Sequence, residues 1–292
     1  MMQDSFDDPH GGTQRDQPPR SALSNGADLQ SERAVKVHWF EGGFGLLYDL
    51  YLTQQVKKSR LPTHVAIVMD GNRRFALASG MEKQQGHRMG KEKVREVMRW
   101  CRDLGIEYLT VYALSTENLT SRSPEELETL FDLYESGFLE LSEDKEIHRD
   151  QVCCQAMGQL HLLPTRVVTA IDAAQKATKD YNRLVFTVCL AYGARQELVD
   201  AIKGILTDHQ HGKISLEDIC EELVSQYLYT SGMPDPDLVI RTSGEERVSN
   251  FLLWQMAYAE LCFIDVYWPG FRKRDFLRVI RTYQGRQRRY GK

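Results

Sequence analysis

The chain has 292 residues, 42% of them hydrophobic and 27% charged, with a net charge of −4. That composition fits one large folded domain or two small ones, and it is not the basic balance of a nucleic-acid-binding domain. No run of about 18 apolar residues is present to span a bilayer, and no basic-then-apolar secretory layout opens the chain. The six cysteines are Cys101, Cys153, Cys154, Cys189, Cys220 and Cys262. None forms a Cys-x-x-Cys pair and most lie in apolar segments, so they are expected to be small buried hydrophobes of a cytoplasmic protein.

Residues 1–33, rich in Asp, Gln, Ser, Gly and Pro, are expected to be disordered, because they cannot bury enough surface to offset their ordering entropy. Large apolar residues then crowd between Trp39 and Leu52, and the second half of segment 34–60 reads as a helix of about three turns. This amphipathic arm either packs on the domain, the plainer expectation, or lies on a membrane surface. After Pro62 strand-like runs alternate with helical patterns. Strands are predicted at 64–69, 108–114, 152–157, 184–191, 238–240 and 261–266. Val94, Val97, Met98, Cys101 and Leu104 recur at helical spacing and stop at Gly105, the mark of an amphipathic helix with its C-terminal glycine. Ser123-Pro124-Glu125-Glu126 predicts a capping box, ahead of a stripe of Leu127, Leu130, Tyr134, Phe138 and Leu141. Further helices are predicted at 165–180, 195–207, 216–228, 249–258 and 272–284. The reading is α/β: one domain over 61–292 with a mainly parallel sheet of about six strands, flanked by helices on both faces.

In an open parallel sheet, ligands bind beyond the carboxyl ends of the strands. Three polar segments follow predicted strands and should open on that edge: Asp70–Arg74, Ser115–Asn118 and Arg241–Arg247. In the first, Gly71 lets backbone approach a ligand, and the following helix start favours an anion. Arg73 and Arg74 follow, with Lys83 and His87 further along. A carboxylate in such a cationic nest suits Mg²⁺, which takes carboxylate and phosphate oxygens together. The plainer alternative makes Asp70 a helix cap and the arginines solvated charges. In the third segment Arg241 ends a strand, while Arg247 and Ser249 are placed at the entry of the predicted 249–258 helix. Two guanidinium forks and a hydroxyl suit a second phosphate group. Two anion sites on one sheet edge point to a metal-assisted enzyme with two phosphorylated substrates.

At these residues the chain resembles the cis-prenyltransferase (undecaprenyl diphosphate synthase-like) family. The matching stretches are 64–74, Gly86-His87, 111–118 and 237–261, within a likeness covering about residues 61–292. The arm 48–60 and the ending Arg288-Arg289-Tyr290-Gly291 look most like archaeal polyprenyl diphosphate synthases. The resemblance implies a homodimer-forming fold with a hydrophobic tunnel between sheet and helices. It implies an enzyme that condenses isopentenyl diphosphate onto an allylic diphosphate, geranylgeranyl or farnesyl, with Mg²⁺. The product would be a polyprenyl diphosphate of about undecaprenyl length, a glycosyl carrier lipid precursor.

By the same resemblance, Asp70 and Asn118 are the catalytic residues, and Asp70 and Glu260 serve the metal. The allylic diphosphate would meet Gly71, Asn72, Arg73, Arg74, Phe75, Lys83 and His87. Ser115, Thr116, Glu117 and Arg122 would complete that side. Arg241, Arg247 and Ser249 would hold the isopentenyl diphosphate, with Arg289 and Gly291 reaching it across the dimer interface. Glu260 opens its predicted strand, away from the binding edge, so another subunit or a different local geometry is needed to bring it in. Phe131, Leu133, Leu139 and Leu141 are candidate tunnel residues or plain core. Three departures stand out: Lys83 where relatives commonly have arginine, Leu119 where they often have an aromatic residue, and one extra residue in 120–123. The Asp-Asp-x-x-Asp motif of trans-prenyltransferases is absent, Asp7-Asp8 lying in the tail. A non-catalytic partner subunit would lack Asp70, Arg74, Arg241 and Arg247, which are present. The basic segment 272–292 is read as a solvated face rather than a nucleic-acid site, and no Walker loop supports a kinase.

Overall fold

The computed structural model describes residues 43–286. The expectations for 1–33, for the first part of the arm, and for Arg289 and Gly291 fall outside them. The helix expected in the arm is α1 (Gly43–Val56). Leu52 and Val56 are fully buried in the domain core, whereas Leu47, Leu50 and Tyr51 stay exposed. The Gln284 side chain donates to the Val56 carbonyl at 2.7 Å and fastens the end of this helix.

β1 (His64–Val68) leads through α2 (Asn72–Ala78) and α3 (Lys83–Leu104) to β2 (Tyr108–Tyr112). α4 (Thr116–Ser121), α5 (Pro124–Glu143) and α6 (Lys145–Arg149) precede β3 (Val152–Met157). Then come α7 (Thr165–Thr178), β4 (Leu184–Cys189), α8 (Ala194–Gln210) and α9 (Glu221–Tyr227). β5 (Leu238–Arg241), β6 (Glu260–Phe263) and α10 (Lys273–Gly285) complete the order. The six strands form one sheet, β3-β4-β2-β1-β5-β6, with every pairing parallel.

Alternate residues of each strand enter two separate cores. Val65, Ile67, Leu109, Val111, Phe186 and Val188 pack with α1, α3, α5, α7 and α10 on one face. Ala66, Val68, Tyr112, Cys189 and Val239 pack with Phe251 and Leu252 on the other. Burial on both faces is why the strands read as unbroken apolar runs. Gly105, with φ 81°, closes α3 as its C-cap. At α5 the Ser123 hydroxyl accepts from Glu126 N at 3.3 Å and Pro124 takes the first turn. The reciprocal half of the capping box is replaced, because the Glu126 carboxylate turns to Arg122 instead.

Four expectations are corrected. The predicted strands at 64–69, 108–114, 184–191 and 261–266 end earlier, where the chain turns into the loops of the binding edge. Segment 216–228 divides into a 3₁₀ turn, Leu216–Asp218, and α9. Segment 249–258 is not a helix: Ser249, Asn250 and Leu252 have φ of 48°, 62° and 43°, which no right-handed helix accommodates. Cys220 is exposed, unlike Cys101, Cys153, Cys154 and Cys189.

His64, at the start of β1, is buried between Pro234 O at 2.7 Å and Thr110 Oγ1 at 2.9 Å. Burial, only partly offset by these surroundings, pulls its pKa from 6.5 down to about 4. The unfolded chain therefore gains a proton before the folded one as pH falls. We expect His64 to cost about 3 kcal/mol of stability between pH 6.5 and 4. Urea unfolding across that range should show the loss, and His64→Gln should flatten it. An unchanged slope in the variant would assign the loss to other groups.

Candidate active site

Val68 pairs with Tyr112 on one side and Arg241 on the other, so the carboxyl ends of β1, β2 and β5 lie side by side. The chain leaves β1 toward β2 and comes back on the opposite flank as β5, opening a crevice over these ends. Asp70 stands there, two residues past β1. Thr242 Oγ1 accepts from Asp70 N at 2.9 Å and donates to Asp70 O at 2.7 Å, which locks the backbone between strands. Gly71 follows at φ 101°, and a Cβ there would lie 2.7 Å from Tyr267 Cδ1. Only glycine meets both the conformation and the space. No side chain caps the α2 start that follows, so its first N–H groups stay available.

The Asp70 carboxylate bridges two arginines. Oδ1 accepts from Arg74 Nη2 at 3.0 Å and Oδ2 from Arg241 Nη2 at 2.7 Å. Burial alone would raise its pKa, but the hydrogen bonds and charges of Arg241 and Arg74 outweigh that and hold the carboxyl below its usual range. Arg74 also reaches Ser243 Oγ at 2.8 Å and Glu245 Oε1 at 2.9 Å. Arg241 is buried and donates through Nη1 to Ser249 Oγ at 2.7 Å and Arg247 O at 2.5 Å. Its Nε has no hydrogen-bond partner, nor has the buried Asn72 Oδ1, and His87 Nε2 meets only Glu126 Oε1, at 3.4 Å. An unsatisfied buried guanidinium nitrogen at the crevice is the kind of group a ligand would complete.

The β2 side supplies a second group. Ser115 Oγ caps α4 by accepting from Asn118 N at 3.2 Å, and it accepts again from Asn118 Nδ2 at 2.8 Å. Arg122 Nε donates to Asn118 Oδ1 at 3.1 Å, and its Nη1 lies 2.5 Å from Glu126. Glu126 also pairs with Arg73 at 3.5 Å. Burial, then the nearby Arg122 charge, lowers the His87 pKa, so its imidazole is neutral at pH 7.

Two hollows meet here. The polar crevice, about 520 Å³, is lined by Asp70, Arg73, Ser115, Glu117, Asn118 and Arg241, with Ser249 and Asn250 beside them. The second, about 150 Å³, is apolar and runs between the sheet and the helices α3 and α5, past Val94, Met98, Leu133, Phe138, Leu141 and Phe186. Met69, Ala113 and Arg122 line both. A charged head and a hydrocarbon tail would be separated at that junction. No three His, Cys, Asp or Glu side chains cluster to hold a metal ion among the described residues. Asp70 is a carboxylate at the crevice, and a hard cation there would need oxygens from a ligand's phosphates beside it.

A family model described as "Putative undecaprenyl diphosphate synthase" matches residues 68–291. The chain is 53% identical over 246 residues to the tritrans,polycis-undecaprenyl-diphosphate synthase (geranylgeranyl-diphosphate specific) of Methanopyrus kandleri, covering 84% of this chain and 90% of that one. The protein of the same name from Methanocaldococcus jannaschii is 51% identical, with 84% and 88% covered. This chain belongs to the cis-prenyltransferase family. It is similar in structure to lavandulyl diphosphate synthase of Lavandula x intermedia, solved with dimethylallyl diphosphate: TM-score 0.76, 33% identity, 82% of this chain and all of that one covered. The chain is a prenyltransferase, and the apolar cavity lies between sheet and helices, where the tunnel is expected.

Within this prenyltransferase the expected site residues do not all converge. Asp70, Arg73, Ser115, Glu117, Asn118, Arg122, Arg241 and Ser249 line the crevice, and Asn72, His87 and Arg122 line the tunnel mouth. Thr116 packs beside Gly193 at the α4 start, and Phe75 packs against Gly270. Arg247 is exposed and paired with Glu245; with no helix at 249–258, an irregular loop carries it. Lys83 is exposed at the first turn of α3, outside both linings. Glu260 pairs with Leu238, three rungs below Arg241 and about 10 Å along the strand, where it binds Arg286 at 2.5 Å. One protomer does not bring Glu260 to Asp70. Of the candidate tunnel residues, Leu133 and Leu141 line the cavity, while Phe131 is plain core and Leu139 faces outward. Asn250 was not foreseen. The close packing of α3 on Asn72 was also missed, although the Gly86–Gly90 spacing signals it: Cβ atoms there would lie 2.3 Å from Asn72 O and Oδ1.

Proposed function

We propose that the chain is a cis-polyprenyl diphosphate synthase that extends geranylgeranyl diphosphate with isopentenyl diphosphate to about undecaprenyl length, giving a precursor of a glycosyl carrier lipid. The observation that carries this reading is the Asp70 carboxylate bridging Arg74 and Arg241 at the mouth of an apolar tunnel. Farnesyl diphosphate is the alternative starter; the names of the archaeal relatives favour geranylgeranyl.

In this reading the α2 start, Arg73, Arg74 and His87 receive the allylic diphosphate, while Arg241, Ser249 and Arg247 receive the isopentenyl diphosphate. Mg²⁺, held by Asp70 and the phosphates, would neutralise negative charge on the departing diphosphate. Arg74 and the α2 amides stabilise the same charge without rearranging, since the fold already fixes them. Ser115 and Asn118 orient the isopentenyl unit, and the proton it loses as the new carbon–carbon bond forms passes to the diphosphate released from the allylic carbon. The tail occupies the tunnel, whose depth limits length. A homodimer would bring Glu260, Arg289 and Gly291 to the partner's crevice, and the exposed face of α1 is the surface we assign to bilayer contact.

Size-fractionated protein should be incubated with labelled isopentenyl diphosphate, Mg²⁺ and each allylic starter from dimethylallyl to geranylgeranyl. We expect magnesium-dependent long products, best from geranylgeranyl diphosphate and only from dimeric fractions. Equal use of farnesyl diphosphate would remove the starter assignment, and a fully active monomer would remove the dimer. Protein that never sediments with liposomes would remove the bilayer contact. No incorporation with any starter would sink the proposed activity.

A further inference from the structure

Ser249, Asn250 and Leu252 all hold left-handed backbone, which non-glycine residues rarely adopt. Such a loop persists only where its surroundings over-determine it. Beneath it Phe251 and Leu252 are fully buried, and the Gln255 amide donates to Thr230 Oγ1 at 2.9 Å and to the buried Glu197 carboxylate at 3.2 Å. Above, Asn250 lines the crevice and is tied to the first turns of α4 and α8. Its Oδ1 accepts from Arg195 N at 2.9 Å and its carbonyl from Ala194 N at 2.9 Å. Its Nδ2 donates to Glu117 Oε1 at 3.0 Å. Gly193 makes room for this: a Cβ there would lie 2.7 Å from Asn250 Nδ2 and 2.8 Å from Thr116 Oγ1.

One residue thus links the loop after β5 to the starts of the helices that follow β2 and β4. Next to it, Ser249 Oγ accepts from Arg241, and two residues beyond Thr116, Asn118 contacts Ser115. We propose that Asn250 is a positioning residue for condensation, setting the Arg241–Ser249 group in register with the Ser115–Asn118 loop. It touches neither reacting carbon; it fixes the separation between one substrate's diphosphate site and the groups that orient its reacting end. The inference rests on the synthase reading above.

The geometry separates this role from stability. Glycine at 250 keeps the left-handed backbone and removes only the side-chain bonds. Alanine at 193 keeps the Asn250 side chain but intrudes on the junction itself, on the Asn250 amide and on Thr116 Oγ1, and the Gly193 φ of −156° accepts alanine. Both variants, their combination and the unaltered chain should be compared by the single-turnover rate of the first condensation, half-saturation by isopentenyl diphosphate, and thermal unfolding. Asn250→Gly is expected to slow condensation by about 10²-fold, the order of effect of a 1 Å misplacement, with half-saturation nearly unchanged. Gly193→Ala should show the same signature, and the double variant should be no slower than Asn250→Gly, because both break one linkage. A normal rate in Asn250→Gly, a defect confined to half-saturation, or additive losses in the double variant would each overturn the proposal. If the unaltered chain forms no product at all, the synthase reading fails and this inference goes with it.

Discussion

Asp70→Ala is expected to lower the condensation rate by about 10³-fold or more, beyond what removing a single preorganised donor does. The side chain has three tasks at once. It aligns Arg74 and Arg241 from opposite sides of the crevice, it balances their charge, and in the proposed function it shares a cation with substrate phosphates. Without it the two guanidiniums repel and Arg241, only 5% exposed, keeps a charge with no counter-ion. Water in the crevice softens that penalty, so stability should fall by only about 1–2 kcal/mol. Asp70→Asn separates the tasks, since it preserves shape and one acceptor but not charge. Rates at saturating Mg²⁺ for both variants would test this. More than about a tenth of normal activity in Asp70→Asn would show that the charge is dispensable. The depressed Asp70 pKa works in the same direction: the ionised form supplies its stabilisation at neutral pH and loses it only as pH drops below the ordinary carboxylate value of 3.8.

Gly137→Leu should shorten the product by several isoprene units and leave the first condensation almost untouched. Gly137 lies in the middle of α5 and lines the apolar cavity opposite Lys91. A Cβ there would sit 3.7 Å from Lys91 Cε, an ordinary contact, so the substitution fits locally. The remaining carbons of leucine project into a cavity of about 150 Å³ that has little to spare. Helix stability should not suffer, because an interior glycine costs about 1 kcal/mol relative to alanine. The opposite change, Leu141→Ala, enlarges the same cavity and should lengthen the product. Chromatographic sizing of products from geranylgeranyl diphosphate reads both. Identical length distributions from both variants would mean that the growing tail takes another route.

The sheet was legible because its strands are buried on both faces, so that 64–68 and 184–189 read as continuous apolar runs. The location of the site was legible for a related reason: with every strand parallel, polar segments after strands must share one edge. What escaped is where tertiary contacts override local pattern. Segment 249–258 has helical spacing of apolar residues, yet Phe251, Leu252 and Gln255 reach their burial through left-handed turns anchored on Glu197, a residue distant in sequence. Nothing within the segment announces that anchor. Glu260 was placed correctly at the far end of its strand, and one protomer offers it Arg286 rather than a metal site.

The shared lining of crevice and tunnel has a thermodynamic consequence. In the proposed function each cycle adds five carbons to a tail lodged along Leu133, Phe138, Leu141 and their neighbours, while the diphosphate end is unchanged. Hydrocarbon sheltered from water gains about 0.8 kcal/mol per methylene. Intermediates are therefore retained more firmly the longer they grow, and dissociation becomes rarer at every cycle. Processivity needs no clamp in such an architecture. The same gradient makes letting go of the finished lipid the most demanding event of the sequence, and an apolar phase outside the protein the natural means of easing it.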